Sequence, residues 1–175
     1  MPFTPFHMGP ALVIKVASGR HFSVLVFGIA QVAMDIEPLI GIIKGWTVLH
    51  GWTHTVAGAT LIGIAVFLLA RPLCNWILRR WNRELEYHKL HWLRSPEPVT
   101  RPAAASGAFI GTYSHVFFDS IMHADMLPLR PWSADNALLG LISIDALYLA
   151  CFVAGLAGVA IWFALSHKSN NKRSP

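Results

Sequence analysis

Long apolar runs separated by shorter polar segments dominate the pattern of the chain. Four runs approach or exceed the roughly 20 apolar residues that a helix needs to cross a membrane, and they cover residues 22–43, 53–70, 103–124 and 136–166. The acidic stretch “DIEP” is expected to break the first run. Residues 8–18 form a shorter apolar segment, which predicts a re-entrant or interfacial helix packed on the bundle. The pattern therefore predicts an all-α fold, a polytopic membrane helical bundle with about four transmembrane helices.

Between the second and third apolar runs, residues 71–102 mix Trp, apolar and basic side chains at helical spacing. Such a pattern is typical of an amphipathic helix that lies on the membrane surface, and the Pro residues near its end predict a loop. Residues 167–175 form a polar C-terminal tail. We therefore expect one membrane-embedded helical domain over residues 1–166.

The composition supports a membrane protein and argues against a nucleic-acid-binding protein. Of the 175 residues, 54% are hydrophobic and 13% are charged, whereas soluble domains carry about 25% charged residues. A net charge of +5 suits a nucleic-acid partner only on a soluble fold with a basic face, so we expect the lipid bilayer as partner instead. Cys74 and Cys151 lack metal-type spacing and are expected to be buried apolar fillers without a disulfide.

The positions of the basic residues predict the orientation in the membrane. All but two of the 14 Lys and Arg residues precede the first run, lie between the second and third runs, or follow the fourth, and the exceptions are Lys44 and Arg130. By the positive-inside rule, the 71–102 segment and the C-terminus lie in the cytoplasm. The loops 44–52 and 125–135 then face the outer side.

The ionisable side chains that interrupt the apolar runs gather at this predicted outer side. They are His7 (if the N-terminal segment folds back), Asp35, Glu37, His50, His54, His115, Asp119 and His123. Residues four apart lie on one face of a helix, so His50 and His54 are predicted to form one row of ligands. His115, Asp119 and His123 are predicted to form a second row.

A cluster of this kind predicts a metal site. A charge at bilayer depth costs at least about 2.5–3.5 kcal/mol, so such residues are seldom present without a partner or a task. Imidazole with carboxylate suits zinc, iron or manganese, and a metal neutralises the carboxylates. We therefore expect one or two divalent ions, with zinc as the first choice. A proton relay or an ion-transport path is the alternative.

Two further residues are candidates for supporting roles. Asp145 is expected about ten residues into the fourth run, roughly 15 Å from its outer end by helical rise, where it would either orient a ligand imidazole or be a protonated packing residue. Arg130, in the outer loop, would either bind a phosphate or carboxylate group or pair with a loop acid.

Several stretches together resemble a known family. They are “MPFTPFHMGPALVI”, “AMDIEPL”, “HGWTHT” and “GTYSHVFFDSIMHADMLPLRPW”, and in this order they are similar to the bacterial LexA-regulated, membrane-bound metal-dependent hydrolases and their inner-membrane relatives. The resemblance covers most of residues 1–132. The order of His, Asp, His and then His-x-x-x-Asp is also similar, more distantly, to the ligand series of the zinc-dependent phospholipase C and single-strand nuclease group.

The resemblance implies a location and a set of site residues. It implies a multi-pass protein of the bacterial inner membrane, and its motifs map onto His7, Asp35 with Glu37, His50 with His54, and His115 with Asp119. Two positions depart from the family pattern. Gly51 stands where the family has Arg, and “DIEPL” replaces “DIDHP”, so that Glu37 takes the place of an Asp.

Together these features predict a membrane-bound metal-dependent hydrolase. Its expected substrate is a phosphoester, which could be lipid-linked, attacked by a metal-activated water on the outer-leaflet side. Asp35 or Glu37 is the candidate general base, if it is not itself a ligand. The alternative is a non-enzymatic membrane protein that binds a metal or transports metal ions or protons.

Overall fold

The computed structural model describes residues 5–95 and 98–171. In these residues all regular secondary structure is helical, with loops between the helices and no strands. Five α-helices follow one another: α1 Gly9–Ser18, α2 Val24–Lys44, α3 Val56–Tyr87, α4 Arg101–Met122 and α5 Ile144–Asn171. Short 3-10 helices occupy Pro5–Met8, Gly19–His21, Trp52–His54 and His91–Leu93. The all-α prediction is confirmed.

Hydroxyl side chains define where three of the long helices begin. Ser23, Thr55 and Thr100 are the N-cap residues of α2, α3 and α4, and each side-chain oxygen accepts a hydrogen bond from the amide three residues further on, at 3.4, 2.9 and 3.3 Å. Such caps satisfy amides that have no partner within the helix. At the other end of α2, Gly45 adopts a left-handed conformation with φ of 68°, which glycine tolerates best.

Among the described residues, three helices are long and apolar enough to cross a membrane: α2, α3 and the Ile144–Leu165 part of α5. They indicate a membrane protein, and large apolar side chains such as Leu69, Leu149 and Phe163 are exposed on α3 and α5, as a lipid-facing surface requires. The sequence predicts about four transmembrane helices, and three helices have the required length and apolar character here. Helix α4 is not among the three, because polar and small residues interrupt its apolar positions and it packs between α2 and α3.

Two predicted helix boundaries differ from the structure. Helix α3 continues through Pro72 to Tyr87, so the predicted surface helix is the extension of the second span rather than a separate element. At 1.5 Å per residue its 32 residues reach about 48 Å, more than the roughly 30 Å of hydrocarbon. The acidic “DIEP” stretch does not break α2, which runs on beyond Pro38.

Small residues let the central helices approach closely. The apolar core between α2, α3 and α4 consists mainly of Ala and Val, with Cys74 and Leu78, and a Cβ added at Gly111 would lie 2.7 Å from the Cβ of Ala30. Helix α1 packs on α5 as the sequence predicts for a short segment lying on the bundle. Both cysteines are free and buried.

Candidate metal centre

The loops and helix ends at one end of the bundle bring all the predicted ligands together around Asp119. His7 lies on the first 3-10 helix, and Asp35 lies on α2. His50 and His54 lie between α2 and α3, and α4 supplies its own His115 and Asp119. His7, His50, His54, His115 and Asp119 are all buried. The N-terminal segment folds back onto the bundle, which is the condition under which His7 is expected to join the other ligands.

Both predicted ligand rows depart in part from a continuous helix. His115 and Asp119 lie one turn apart on α4 as predicted, but His123 follows the helix in an extended conformation. His50 precedes the 3-10 helix Trp52–His54 and is not helical. The rings of His50 and His54 nevertheless lie 4.9 Å apart, and the ring of His50 stacks on that of His123 at 4.2 Å. These histidines therefore converge as the sequence predicts. The predicted helix at His50, however, is wrong.

Three ligand atoms form a tight triangle at the centre of the cluster. The Nε2 atoms of His54 and His115 are 3.3 Å apart, and they lie 3.4 and 3.1 Å from Oδ2 of Asp119. Oδ1 of Asp35 approaches the Nε2 of His115 to 3.5 Å. The ligand atoms of a tetrahedral zinc site are separated by about 3.3–3.5 Å, since each lies about 2.0–2.1 Å from the ion. This triangle has the size of such a site.

Hydrogen bonds on the outer side of each ring fix which nitrogen carries the proton. The amide of Gln31 donates to the carbonyl of Gly111 at 3.0 Å, so its Oε1 is the atom that faces Nδ1 of His115 at 2.7 Å. An amide oxygen only accepts, and Nδ1 of His115 is therefore the protonated nitrogen. Its Nε2 presents a lone pair to the cluster.

His54 is held in the same way through Thr53. The hydroxyl of Thr53 donates to the carboxylate of Glu37, which also accepts the Thr53 amide at 2.9 Å. Since the hydroxyl proton is used by Glu37, the hydroxyl oxygen accepts from Nδ1 of His54 at 2.9 Å. Glu37 therefore lies on the outer side of His54 and positions it, rather than pointing at the centre of the cluster as a general base would.

Asp125 holds the outer ring nitrogen of His50 by a hydrogen bond. It is a site residue that the sequence interpretation missed. Its Oδ1 accepts from Nδ1 of His50 at 2.8 Å, and its Oδ2 accepts the amides of Leu49 and His50. Partial burial raises the pKa of this carboxyl, but the His50 side chain and the two amides outweigh it and lower the pKa to about 2. The sequence feature that could have identified Asp125 is its position two residues after His123, in “HAD”.

These bonds leave an excess of lone pairs at the centre. In their neutral form, the three imidazoles point unprotonated Nε2 atoms towards the carboxylates of Asp35 and Asp119, and His54 and His115 then face each other acceptor to acceptor. Acceptors at this separation repel unless a proton or a cation lies between them. Imidazoles whose outer N–H is bonded to an amide, hydroxyl or carboxylate are the arrangement found around protein-bound metals. The cluster could therefore hold a metal ion.

His7 provides an independent sign that a partner belongs here. Its side chain is 2% exposed, and neither ring nitrogen has a hydrogen-bond partner among the described residues. Burial lowers the pKa of His7 to about 4, with Asp119 acting in the opposite direction, so the imidazole is neutral near pH 7. A buried, unpaired imidazole is costly, and ligation of a metal would satisfy one of its nitrogens.

Two predicted supporting residues lie elsewhere. Asp145 is exposed in the first turn of α5, not deep in a span beside His115. Arg130 is exposed in the loop after α4. Among the described residues, neither side chain forms a hydrogen bond or ion pair with the cluster.

Comparison with known proteins assigns the chain to a family without assigning an activity. No curated protein and no solved structure matches the chain. Residues 1–174 match the family described as a domain of unknown function, DUF4184. Because this match covers nearly the whole chain, the protein belongs to the DUF4184 family.

Proposed function

We propose that the protein is a membrane-bound metal-dependent hydrolase that acts on a phosphoester. The observation that carries the proposal is the triangle formed by Nε2 of His54, Nε2 of His115 and Oδ2 of Asp119, with sides of 3.1–3.4 Å. All three atoms are acceptors, and each of the two imidazoles is held from outside. Such a triangle is arranged to bind a cation and has no role in packing.

Asp35 completes the ligand set or supplies the base. Its Oδ1 lies 3.5 Å from Nε2 of His115, and its side chain is 13% exposed, so it lies at the edge of the buried site. A bound ion of this class lowers the pKa of a coordinated water from 15.7 towards about 7. Asp35 would be the residue placed to accept a proton at such an ion, and the Thr53–Glu37 pair would keep His54 in position. Zinc fits the size of the triangle, and manganese and iron fit its ligand chemistry.

The shape and placement of the site favour an amphiphilic substrate. One side of the cluster is partly open, where the side chains of Glu37, His123 and Asp125 are 23%, 23% and 31% exposed. The other side is closed by buried helix surface. Because this end of the bundle carries few basic residues, the positive-inside rule favours the outer face of a bacterial inner membrane. A lipid-linked phosphoester would reach the site from the bilayer.

The resemblance of the motifs to metal-dependent hydrolases supports the same reaction class. Transport of metal ions or protons is the other candidate, and it needs a polar route towards the opposite end of the bundle. On the side of Gln31 that faces away from the cluster, apolar residues such as Ala30, Val66 and Ala108 form the core between the central helices. This core favours a site that opens on one side.

Metal content and phosphoester turnover of the detergent-purified chain test the proposal together. We expect stoichiometric zinc, manganese or iron by elemental analysis, lost in His115→Ala and Asp119→Ala and retained in the control His88→Ala, whose exposed side chain directly follows α3. The metal-loaded protein should hydrolyse at least one of a phospholipid, an isoprenoid phosphate and a soluble phosphoester. Metal without turnover on all three would favour the non-enzymatic alternative, and absence of metal after reconstitution would refute the hydrolase and leave proton transport as the alternative.

A further inference from the structure

The two oxygens of the Asp119 carboxylate face two different groups of ligands. Oδ2 faces the triangle partners His54 and His115. Oδ1 faces His7, whose Nε2 lies 3.8 Å away, and His123, whose Nε2 lies 4.0 Å away. A carboxylate placed in this way has one oxygen for each of two cations.

We propose that Asp119 bridges two divalent cations and that the second cation binds between Asp119 Oδ1, His7 and His123. This inference rests on the proposed function, because it adds a second ion to the same centre. A pair of ions about 3.5–4 Å apart stabilises both the attacking and the leaving oxygen of an in-line displacement. The second position therefore narrows the substrate class to phosphate esters, for which such pairs are suited.

His7 is the strongest evidence for the second position. It is 2% exposed, both of its ring nitrogens lack a hydrogen-bond partner in residues 5–95 and 98–171, and its Nε2 lies 3.8 Å from Oδ1 of Asp119. The triangle around Oδ2 uses His54 and His115 and does not include His7, although His7 lies close enough to His115 and Asp119 to share an ion with them. An ion on the Oδ1 side gives this imidazole its missing partner.

The fold also holds His7 in place from the opposite side. Gly9, two residues on, lies so close to α5 that a Cβ there would collide with the carbonyl of Cys151. The ring of Phe6 stacks on that of Tyr148 in α5, with centroids 4.8 Å apart. Helix α5 carries no residue of the cluster, and these contacts show that it instead fixes the segment bearing His7.

The second position is wider than the first. The Nε2 atoms of His7 and His123 lie 3.8 and 4.0 Å from Oδ1 of Asp119, whereas the distances to Oδ2 in the triangle are 3.1–3.4 Å. The ligands of the second position therefore contract by a few tenths of an ångström or accept a larger ion. We therefore expect the second cation to bind more weakly than the first, by about tenfold or more. Stepwise binding distinguishes the two positions experimentally.

Zn²⁺ titration of the chelator-stripped, detergent-purified full chain tests the inference. Elemental analysis after dialysis should give two Zn²⁺ per chain, and one in both His7→Ala and His7→Phe. Phenylalanine fills the space beside Phe118, which lies 5.3 Å from the His7 ring, and removes the lone pairs. The control His21→Ala, an exposed histidine nearby in sequence, should retain two. Thermal unfolding of the metal-free variants verifies that they fold.

The outcomes separate this inference from the proposed function. One Zn²⁺ per parent chain would overturn the second position and leave a one-ion hydrolase standing. Two Zn²⁺ in both folded His7 variants would show that His7 is not a ligand and would also overturn it. None in a folded His7→Phe variant would contradict two separable positions. No Zn²⁺ in the parent would remove the proposed function as well.

Discussion

Buried polar side chains occur at both ends of the bundle, but they are used differently. At the end opposite the metal centre, Asn75 accepts the amide of Val99 at 2.7 Å, and Asn82 exchanges two hydrogen bonds with the backbone of Ser95. There, polar groups on α3 meet backbone partners and fix the loop that leads into α4. At the metal centre, the outer nitrogens of three imidazoles are bonded, while their inner lone pairs meet only other acceptors.

This contrast distinguishes polar side chains that stabilise the fold from polar side chains that could bind a ligand. A buried group with a complementary partner is explained by the fold, because an unpaired one would cost about 1–3 kcal/mol. A cluster of acceptors without a donor is not explained by the fold alone and could hold a cation. Burial alone would not have distinguished Asn75 from His54, since both are buried.

The largest effect is expected from Asp119→Asn. The change keeps the volume of the side chain but removes the negative charge shared by both groups of ligands. We expect metal affinity to fall by about 100-fold or more, so that elemental analysis finds almost no bound metal after dialysis. Near-normal metal content in this variant would show that the acceptor cluster is not built around Asp119.

A smaller effect is expected on the outer side of the site. Asp125→Ala leaves Nδ1 of His50 without its acceptor, and loss of such a partner typically weakens metal binding about 10–100-fold. Competition with a chelator of known affinity measures the change. The matched control is Asp135→Ala, in the same loop, where the exposed carboxylate bonds only Ser133 among the described residues. Equal affinities in the two variants would remove Asp125 from the site.

The opposite end should respond in stability and not in metal binding. Asn75→Ala leaves the buried amide of Val99 without an acceptor, and we expect the free energy of unfolding to fall by about 1–3 kcal/mol. Thermal or denaturant unfolding in detergent measures this, and metal content per chain should equal that of the parent. A loss of metal in Asn75→Ala would mean that the two ends are coupled and that the contrast between them is too simple.

Much of this arrangement is predictable from the sequence, because helical spacing and membrane topology act over short distances. The run length located α2, and the four-residue spacing placed His115 beside Asp119. Position along the chain also placed His50 and His54 at the correct end, although Gly51 and the Thr53–Glu37 bonds, not a helix, bring their rings together.

Other features depend on contacts that no local pattern reveals. His7 reaches the cluster because α1 packs on α5, and Asp125 joins it because its carboxylate accepts the backbone of a loop about 75 residues earlier in the chain. The depth of Asp145 was wrong because the apolar run was taken as helix from residue 136. Helix α5 instead begins at Ile144, where Ser143 accepts the amide of Ala146 at 3.2 Å.

The smallest effect is expected at Asp145, and it tests this reassignment. If the carboxylate were near His115, Asp145→Asn would change the orientation of a ligand and weaken metal binding. Because the residue is exposed in the first turn of α5, its charge acts mainly on the N-terminal end of that helix, an effect of about 0.3–1 kcal/mol on stability. Zn²⁺ affinity should therefore match the parent within twofold, with at most a slight decrease in the unfolding midpoint. A tenfold loss of affinity would return Asp145 to the metal centre and would require α5 to begin several residues earlier than Ile144.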